Sequence, residues 1–398
     1  MSATPRLYHD DPFLLRFTAR VIARDAWQGR PAVLLDRTAF YPESGGQMAD
    51  RGTLGGAPVA DVQAGDDGRV YHVVDGPLPE AGAELEGLVD RDRRRVHMAL
   101  HTGQHMLSRA LADLAGAATV SSRLGETACT IDVDQEAIDE RRLAAAEDLV
   151  NAIIDDDVPV RAFFPTPDEL AALPLRRAPT VTDNIRVVAI GDYDVSPCGG
   201  THCTRSAQVG LVHVTGVERY KGKIRVSFAA GARARRDLGA HAATLRALGR
   251  ELSCDPLLAP QGVAKLREEL TGARDALGKT RGRLAEAIAA DLAELAAARA
   301  GEPLVALLDD APLDLLRSVA KRLTAAPGAL VVLGGRGDDG VSVIVSRGEG
   351  SAADCGALLK KVAAAAGGRG GGRKEHAEGK LPAGADLAGA VRAALDRG

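Results

Sequence analysis

The sequence predicts an α+β multidomain protein: an N-terminal small β-barrel, an α+β domain, a helical hairpin or coiled-coil segment, and a C-terminal α/β domain. Three observations predict it. Short apolar runs separated by Gly, Pro and Asp turns fill residues 1–90, as in Arg20-Val21-Ile22-Ala23 and Ala32-Val33-Leu34-Leu35. Between 232 and 300, Val263, Leu266, Leu270, Ala273, Leu277 and Leu284 recur at alternating three- and four-residue spacing. Beyond 301, strand-like runs alternate with helical stretches. The four segments are thus 1–90, 91–231, 232–300 and 301–398.

Taken in order, the barrel segment includes Arg69-Val70-Tyr71-His72-Val73-Val74 and the turn Tyr41-Pro42-Glu43-Ser44-Gly45-Gly46-Gln47, which Asp50 is expected to brace. Residues 91–116 read as one amphipathic helix, with Val96, Leu100, Leu107 and Leu111 on its apolar face and Gly116 as its stop. A strand at Thr130-Ile131-Asp132-Val133, a helix around 137–155 and a strand at Arg186–Ile190 follow. Leu211–Phe228 reads as a hairpin tipped by Lys221-Gly222-Lys223. Pro256 and Pro260 break the helical segment, whose apolar seam either packs on its own domain or pairs with a second copy as a homodimer. The last segment offers strands at 304–308, 330–333 and 341–345, helices near 312–324, 352–365 and 384–396, and a glycine-rich loop, Gly367 to Lys374.

Composition narrows the function classes. Fifty Lys and Arg against 54 Asp and Glu give a net charge of −4, which excludes nucleic-acid binding by bulk charge and leaves room for local basic patches. Three such patches stand out: Arg91–Arg95, Arg219–Arg225, and Arg369 to Lys374 with Lys380. No window reaches the roughly 18 apolar residues of a membrane span. Five cysteines without a secretory leader read as reduced and cytoplasmic, so cysteine chemistry points to metal ligation rather than bridging. The glycine-rich loop is not a phosphate-binding Walker loop, because no Gly-Lys-Ser/Thr follows at the required spacing.

The strongest chemical signal is His101-Thr102-Gly103-Gln104-His105 on the expected helix. Residues four apart share a helix face, so two imidazoles can meet one ion. Cys198-Gly199-Gly200-Thr201-His202 repeats the four-residue spacing, with glycines that let the backbone turn tightly. Three imidazoles and one thiolate suit one Zn²⁺ per chain, held by His101, His105, Cys198 and His202. His97, one turn before His101, reads as packing around the site.

These two motifs and the Gly45-Gly46-Gln47 turn resemble the editing half of alanyl-tRNA synthetase, and more closely the free-standing alanyl-tRNA editing proteins. Thr119–Glu126, Thr130-Ile131-Asp132 and Arg225-Val226-Ser227-Phe228 with Gly231 fit the same pattern, and the C-terminal part resembles the DHH-associated domain of the synthetase. The glycine-rich loop departs from that pattern at Lys374 and Glu378, where Pro and Gln are usual. The aminoacylation and anticodon-like parts are expected to be absent, since the barrel begins directly at residue 1.

The resemblance implies zinc-dependent hydrolysis of the ester in tRNA(Ala) mischarged with serine or glycine. A pocket for alanine cannot exclude glycine sterically and rejects an added hydroxyl only about 10²-fold, so a second hydrolytic site is needed. By the same resemblance Gln47 and Thr119 are the catalytic and hydroxyl-reading candidates, with the glycine turn closing over the ester. Gly45, Gly46, Lys221, Lys223, Arg225, Arg369, Arg373 and Lys374 are the expected substrate and tRNA contacts. The ion itself is structural if all four donors close its shell; otherwise it activates water, or it orients the substrate while Gln47 places water. Two other readings stay open: a zinc-stabilised tRNA-binding module without catalysis, and editing of another mischarged tRNA. A phosphodiesterase would need an Asp-His-His motif, which the sequence lacks.

Overall fold

The computed structural model describes residues 3–298 and 302–396, in two compact units, 1–247 and 248–398. In the first unit, β1 (Arg16–Trp27), β2 (Arg30–Leu35), β3 (Gly52–Leu54), β4 (Ala57–Ala64), β5 (Val70–Val74) and β6 (Glu84–Val89) close into a barrel in the order β1-β2-β5-β4-β3-β6. Period-two burial along β1 turns Phe17, Ala19 and Val21 inward, where they meet Val33, Leu35, Leu54 and Val62.

α1 (Arg91–Ala115) leaves the barrel directly. The Asp90 side chain accepts from the Asp92 and Arg93 amides at its start, and Gly116 ends it in the left-handed conformation at φ 63°. The barrel and α1 are riveted by a fully buried ion pair. Arg94 Nε donates to Asp50 Oδ2 at 3.0 Å, and its other nitrogens reach the carbonyls of Pro12 and Ala39. Asp50 also accepts from the Tyr41 amide at 2.7 Å, which fixes the base of the glycine turn. Arg94 is therefore withdrawn from the basic run 91–95 read as a surface patch.

Then come β7 (Thr119–Leu124), β8 (Cys129–Val133), α2 (Glu140–Asp155), β9 (Val160–Phe163), α3 (Pro167–Ala172), β10 (Val187–Ile190), β11 (Asp194–Pro197), β12 (Val212–Tyr220), β13 (Lys223–Ala230) and α4 (Gly231–Glu251). Two antiparallel sheets result, β12-β13-β8-β7 and β11-β10-β9. Leu100, Leu107 and Leu111 of α1 are fully buried in the core they form with Ile131, Val226 and Val188. Each such leucine contributes about 1.5–3 kcal/mol. The core thus anchors the helix that carries the histidine pair.

In the second unit, α5 (Ala259–Ala297) precedes β14 (Leu304–Asp309), α6 (Leu313–Leu323), β15 (Leu330–Gly337), β16 (Gly340–Arg347), α7 (Cys355–Ala366), β17 (Arg369–Gly372), β18 (His376–Leu381) and α8 (Leu387–Leu395). The sheet order is β14-β15-β16-β18-β17, with only β14 and β15 parallel. The glycine-rich stretch read as a loop is largely the edge strand β17. Side chains at Gly370 and Gly372 would run into β18 and Leu359 of α7, so the glycines let backbone pack on backbone. The α5 seam residues Val263, Leu266, Leu270, Leu277 and Leu284 are all exposed. Among the described residues no helix is long and apolar enough to cross a membrane.

A candidate metal centre

One face of α1 presents His101 and His105, and the turn after β11 presents Cys198 and His202. Ligand atoms of these four residues all lie within 4.8 Å of one another. Cys198 Sγ stands 3.3 Å from both His101 Nε2 and His202 Nε2. A tetrahedral zinc shell with bonds of about 2.0–2.3 Å sets neighbouring donors roughly 3.3–3.8 Å apart, so the donor set fits that ion in chemistry and in spacing. His97 is buried on the same helix but stands outside the group.

The outward nitrogen of each imidazole is also positioned. His101 Nδ1 lies 2.7 Å from Gln47 Oε1, which accepts as well from the Thr201 amide, while Gln47 Nε2 donates to Thr201 Oγ1 at 2.8 Å. An acceptor at Nδ1 places the ring proton there and leaves the Nε2 lone pair facing the other three donors, as a metal ligand would need. His202 Nδ1 lies 3.2 Å from Thr102 Oγ1, which also accepts from the Cys203 amide. His105 Nδ1 faces Asp194 Oδ2 at 3.4 Å, an ion-pair separation rather than a hydrogen bond. Asp194 is held in turn by Arg176 at 2.7 Å.

The electrostatics favour a thiolate. Burial raises the Cys198 thiol, but the imidazoles of His101, His202 and His105 outweigh it and hold the thiol well below its ordinary value. Burial, then the neighbouring His101, lowers His202 to about 3. For His105 burial acts downward, yet the Cys198 thiolate and Asp194 carboxylate raise it overall. Burial pushes the Asp194 carboxyl up, and His105 with Arg176 brings it down to about 2.

The Cys-Gly-Gly-Thr-His turn has its shape for steric reasons. A Cβ at Gly200 would overlap the His101 ring, whereas one at Gly199 would meet nothing within 4 Å. Arg186 Nη1 donates to the Cys198 and Gly200 carbonyls at 3.1 and 2.8 Å and fixes the turn from behind. Thr102, Asp194, Arg176 and Arg186 had no sequence signal, because each acts across a long-range contact.

Gln47 is not where a residue reaching toward a substrate would be. It is fully buried, with Oε1 accepting from His101 and Thr201 and Nε2 committed to Thr201. Its contacts make it a brace for the His101 ring and the turn at Thr201. Gln47→Ala is accordingly expected to weaken zinc affinity about 10–100-fold, as losing such a partner does. Competition with a chromophoric chelator measures this; unchanged affinity with lost hydrolysis would return Gln47 to a direct role. The turn before it is no free flap either. Gly46 packs against Ser122, where a Cβ would strike the carbonyl oxygen, and its own carbonyl accepts from Leu124 of β7 at 2.7 Å, while Gly45 is exposed at φ 57°.

Thr119 lies half-buried at the start of β7, its hydroxyl 2.8 Å from Ser108 Oγ. Arg225 is taken by a bidentate pair with Asp132, at 2.7 and 2.9 Å, and lies over the Tyr220 ring. Lys223 meets Asp134 at 3.3 Å, and Lys221 caps the hairpin turn over Tyr220. The hairpin is thus less free for phosphate than its sequence suggests. Arg369, Arg373 and Lys374 are exposed in the second unit.

Two family models match. Residues 185–227 match the threonyl and alanyl tRNA synthetase second additional domain, a span that includes Cys198 and His202, and residues 301–397 match the DHHA1 domain. The alanine–tRNA ligase of Archaeoglobus fulgidus is 34% identical over 397 residues, covering 95% of this chain and 42% of that protein. The alanyl-tRNA editing protein AlaX-L of Pyrococcus horikoshii is 34% identical over 238 residues, 58% of each chain. The ligase of Methanopyrus kandleri is 33% identical over 393 residues, 94% of this chain and 42% of its own. The chain thus spans about half the length of these relatives. Among solved structures, the C-Ala domain of Aquifex aeolicus alanyl-tRNA synthetase aligns with 22% of this chain and 82% of its own at 20% identity, with a TM-score of 0.21, too low to speak for a shared fold. The chain is thus similar to the alanine–tRNA ligases over nearly all of its own length and to the alanyl-tRNA editing protein over 58% of it, with a second additional domain match and a DHHA1 match inside that span.

Proposed function

We propose that this chain is an aminoacyl-tRNA deacylase that hydrolyses the ester of tRNA(Ala) mischarged with serine or glycine, with zinc held by His101, His105, Cys198 and His202. The observation that carries the reading is the convergence of these four donors within 4.8 Å in a homologue of an alanyl-tRNA editing protein. Zinc held there with one of the four donor positions yielded to water would supply Lewis acidity and water activation. The chain's own residues do the rest. Gln47, Thr102 and Asp194 orient the three imidazoles, Arg186 holds the Cys198–Gly200 backbone, and near-complete burial of the histidines limits bulk water. Thr119 is proposed as the hydroxyl-reading wall. Lys221, Arg369, Arg373 and Lys374 are proposed tRNA contacts, and the exposed α5 seam a homodimer contact.

One observation favours a second reading. Four protein donors already make a full tetrahedral set, as structural zinc sites do, which suits a zinc-stabilised tRNA-binding module. A deacylation panel separates the two: Ser-, Gly- and Ala-tRNA(Ala) and Ser-tRNA(Thr). Faster release from Ser- or Gly-tRNA(Ala) than from Ala-tRNA(Ala) is expected. No release from any member would leave the binding module standing, and release from Ser-tRNA(Thr) alone would move the reading to another tRNA.

A further inference from the structure

A cleft of about 700 Å³ lies between α1 and the start of α4, lined by Arg95, Arg235 and Arg236, with Asp92 the acid on its wall. Cys203 lines it too, and Cys203 directly follows His202 in the chain. A second cavity of about 570 Å³ shares Cys203 and reaches His202 itself. Cys203 is thus shared by the cleft and by the cavity that reaches His202.

The charge placement is unfavourable for a helix left to itself. Arg233, Arg235 and Arg236 occupy the first two turns of α4, where Asp237 is the one acid and none stands in the first turn. The N-terminal end of a helix carries the positive end of its dipole, so cations there are disfavoured and anions favoured. Arg233 is used internally, donating to the Gly125 carbonyl and to Cys129 Sγ. Arg93 and Arg94 of α1 are likewise engaged, by Glu126 and Asp50. Arg95, Arg235 and Arg236 are exposed, and among the described residues none of the three pairs with a carboxylate. Three unpaired guanidiniums from two helices, gathered at a positive helix end, make a site for several phosphate groups.

We infer that this cleft binds the phosphate backbone of an RNA whose charged end reaches the metal centre. The inference rests on the proposed function for the identity of the RNA, and on the cleft for the contact. The arginines clamp successive phosphates and carry no sequence information, so they position the strand rather than select it. Neither the glycine-rich strand nor the 219–225 hairpin is needed for this contact.

The test uses the full chain with Arg95, Arg235 and Arg236 all changed to Ala, and again to Lys. Uncharged tRNA(Ala) transcript is titrated at several salt concentrations. The Ala variant is expected to bind about 10–100-fold more weakly near 0.1 M salt, with the log-affinity slope against log salt flattened by roughly two units. The Lys variant should restore most of the slope, since it keeps the charge. Zinc content and the melting temperature report folding, and KM for charged tRNA should rise with kcat kept. Equal affinity and slope in wild type and the Ala variant would overturn the inference, as would a fall in kcat at constant KM. Inorganic phosphate or a mononucleotide competing as well as RNA would also overturn it, since the site would then be for a small anion. If wild type binds RNA through these arginines but hydrolyses no ester, the proposed function fails and this inference stands.

Discussion

Gly200→Ala is expected to dismantle the cluster of His101, His105, Cys198 and His202 and its proposed zinc binding. The added methyl would occupy the space of the His101 ring and crowd Gln47 Oε1, so either the imidazole leaves the cluster or the turn carrying Cys198 and His202 moves. Both outcomes spoil the shared geometry of four donors. Losing a single outer partner of a ligand costs about 10–100-fold in metal affinity, and displacing a ligand should exceed that, so a loss of at least about 100-fold is expected. Gly199→Ala is the matched control, because its Cβ would meet nothing within 4 Å. Zinc titration of the two variants checks the claim. Wild-type affinity in Gly200→Ala would show that the turn tolerates what its packing forbids.

The second large effect lies at the joint of barrel and helix. Asp50→Ala is expected to destabilise the first unit by about 3–5 kcal/mol, because it leaves the Arg94 guanidinium buried without its counter-charge. The paired change Asp50→Leu with Arg94→Met removes both charges and should recover part of the loss, the remainder being the Tyr41 amide and the Pro12 and Ala39 carbonyls left without partners. The single tryptophan, Trp27, lies in β1, so its fluorescence follows this unit during urea unfolding. A loss below about 1 kcal/mol for Asp50→Ala would mean that water reaches the pair, in the manner of an exposed salt bridge.

Local spacing explains which features were legible in the sequence. The helix read over 91–116 spans Arg91–Ala115, since both its apolar repeat and its Gly116 stop act within a few residues. The strands read at 304–308 and 341–345 likewise fall in Leu304–Asp309 and Gly340–Arg347. The two four-residue motifs were visible because i and i+4 neighbours meet on a helix face and across a tight turn. What surrounds them was not visible. Gln47 reaches His101 across 54 residues, and Thr102 reaches His202 across 100. Nothing local distinguishes a buried arginine such as Arg94 from its exposed neighbour Arg95. The glycine run at 367–374 misled for a related reason. Glycine is equally at home in a loop and where two strands and a helix close on one another, and only the packing of β17 on β18 and α7 decides.

Zinc held by the four gathered donors is proposed to be what ester hydrolysis by this chain depends on. The most direct measurement is the deacylation rate of Ser-tRNA(Ala) by the full chain as purified, after removal of metal by a chelator, and after zinc is restored. About one equivalent of zinc, loss of nearly all hydrolysis on stripping and its return on reloading are the predicted results. Metal-stripped protein that remains folded and hydrolyses at the untreated rate would contradict the account.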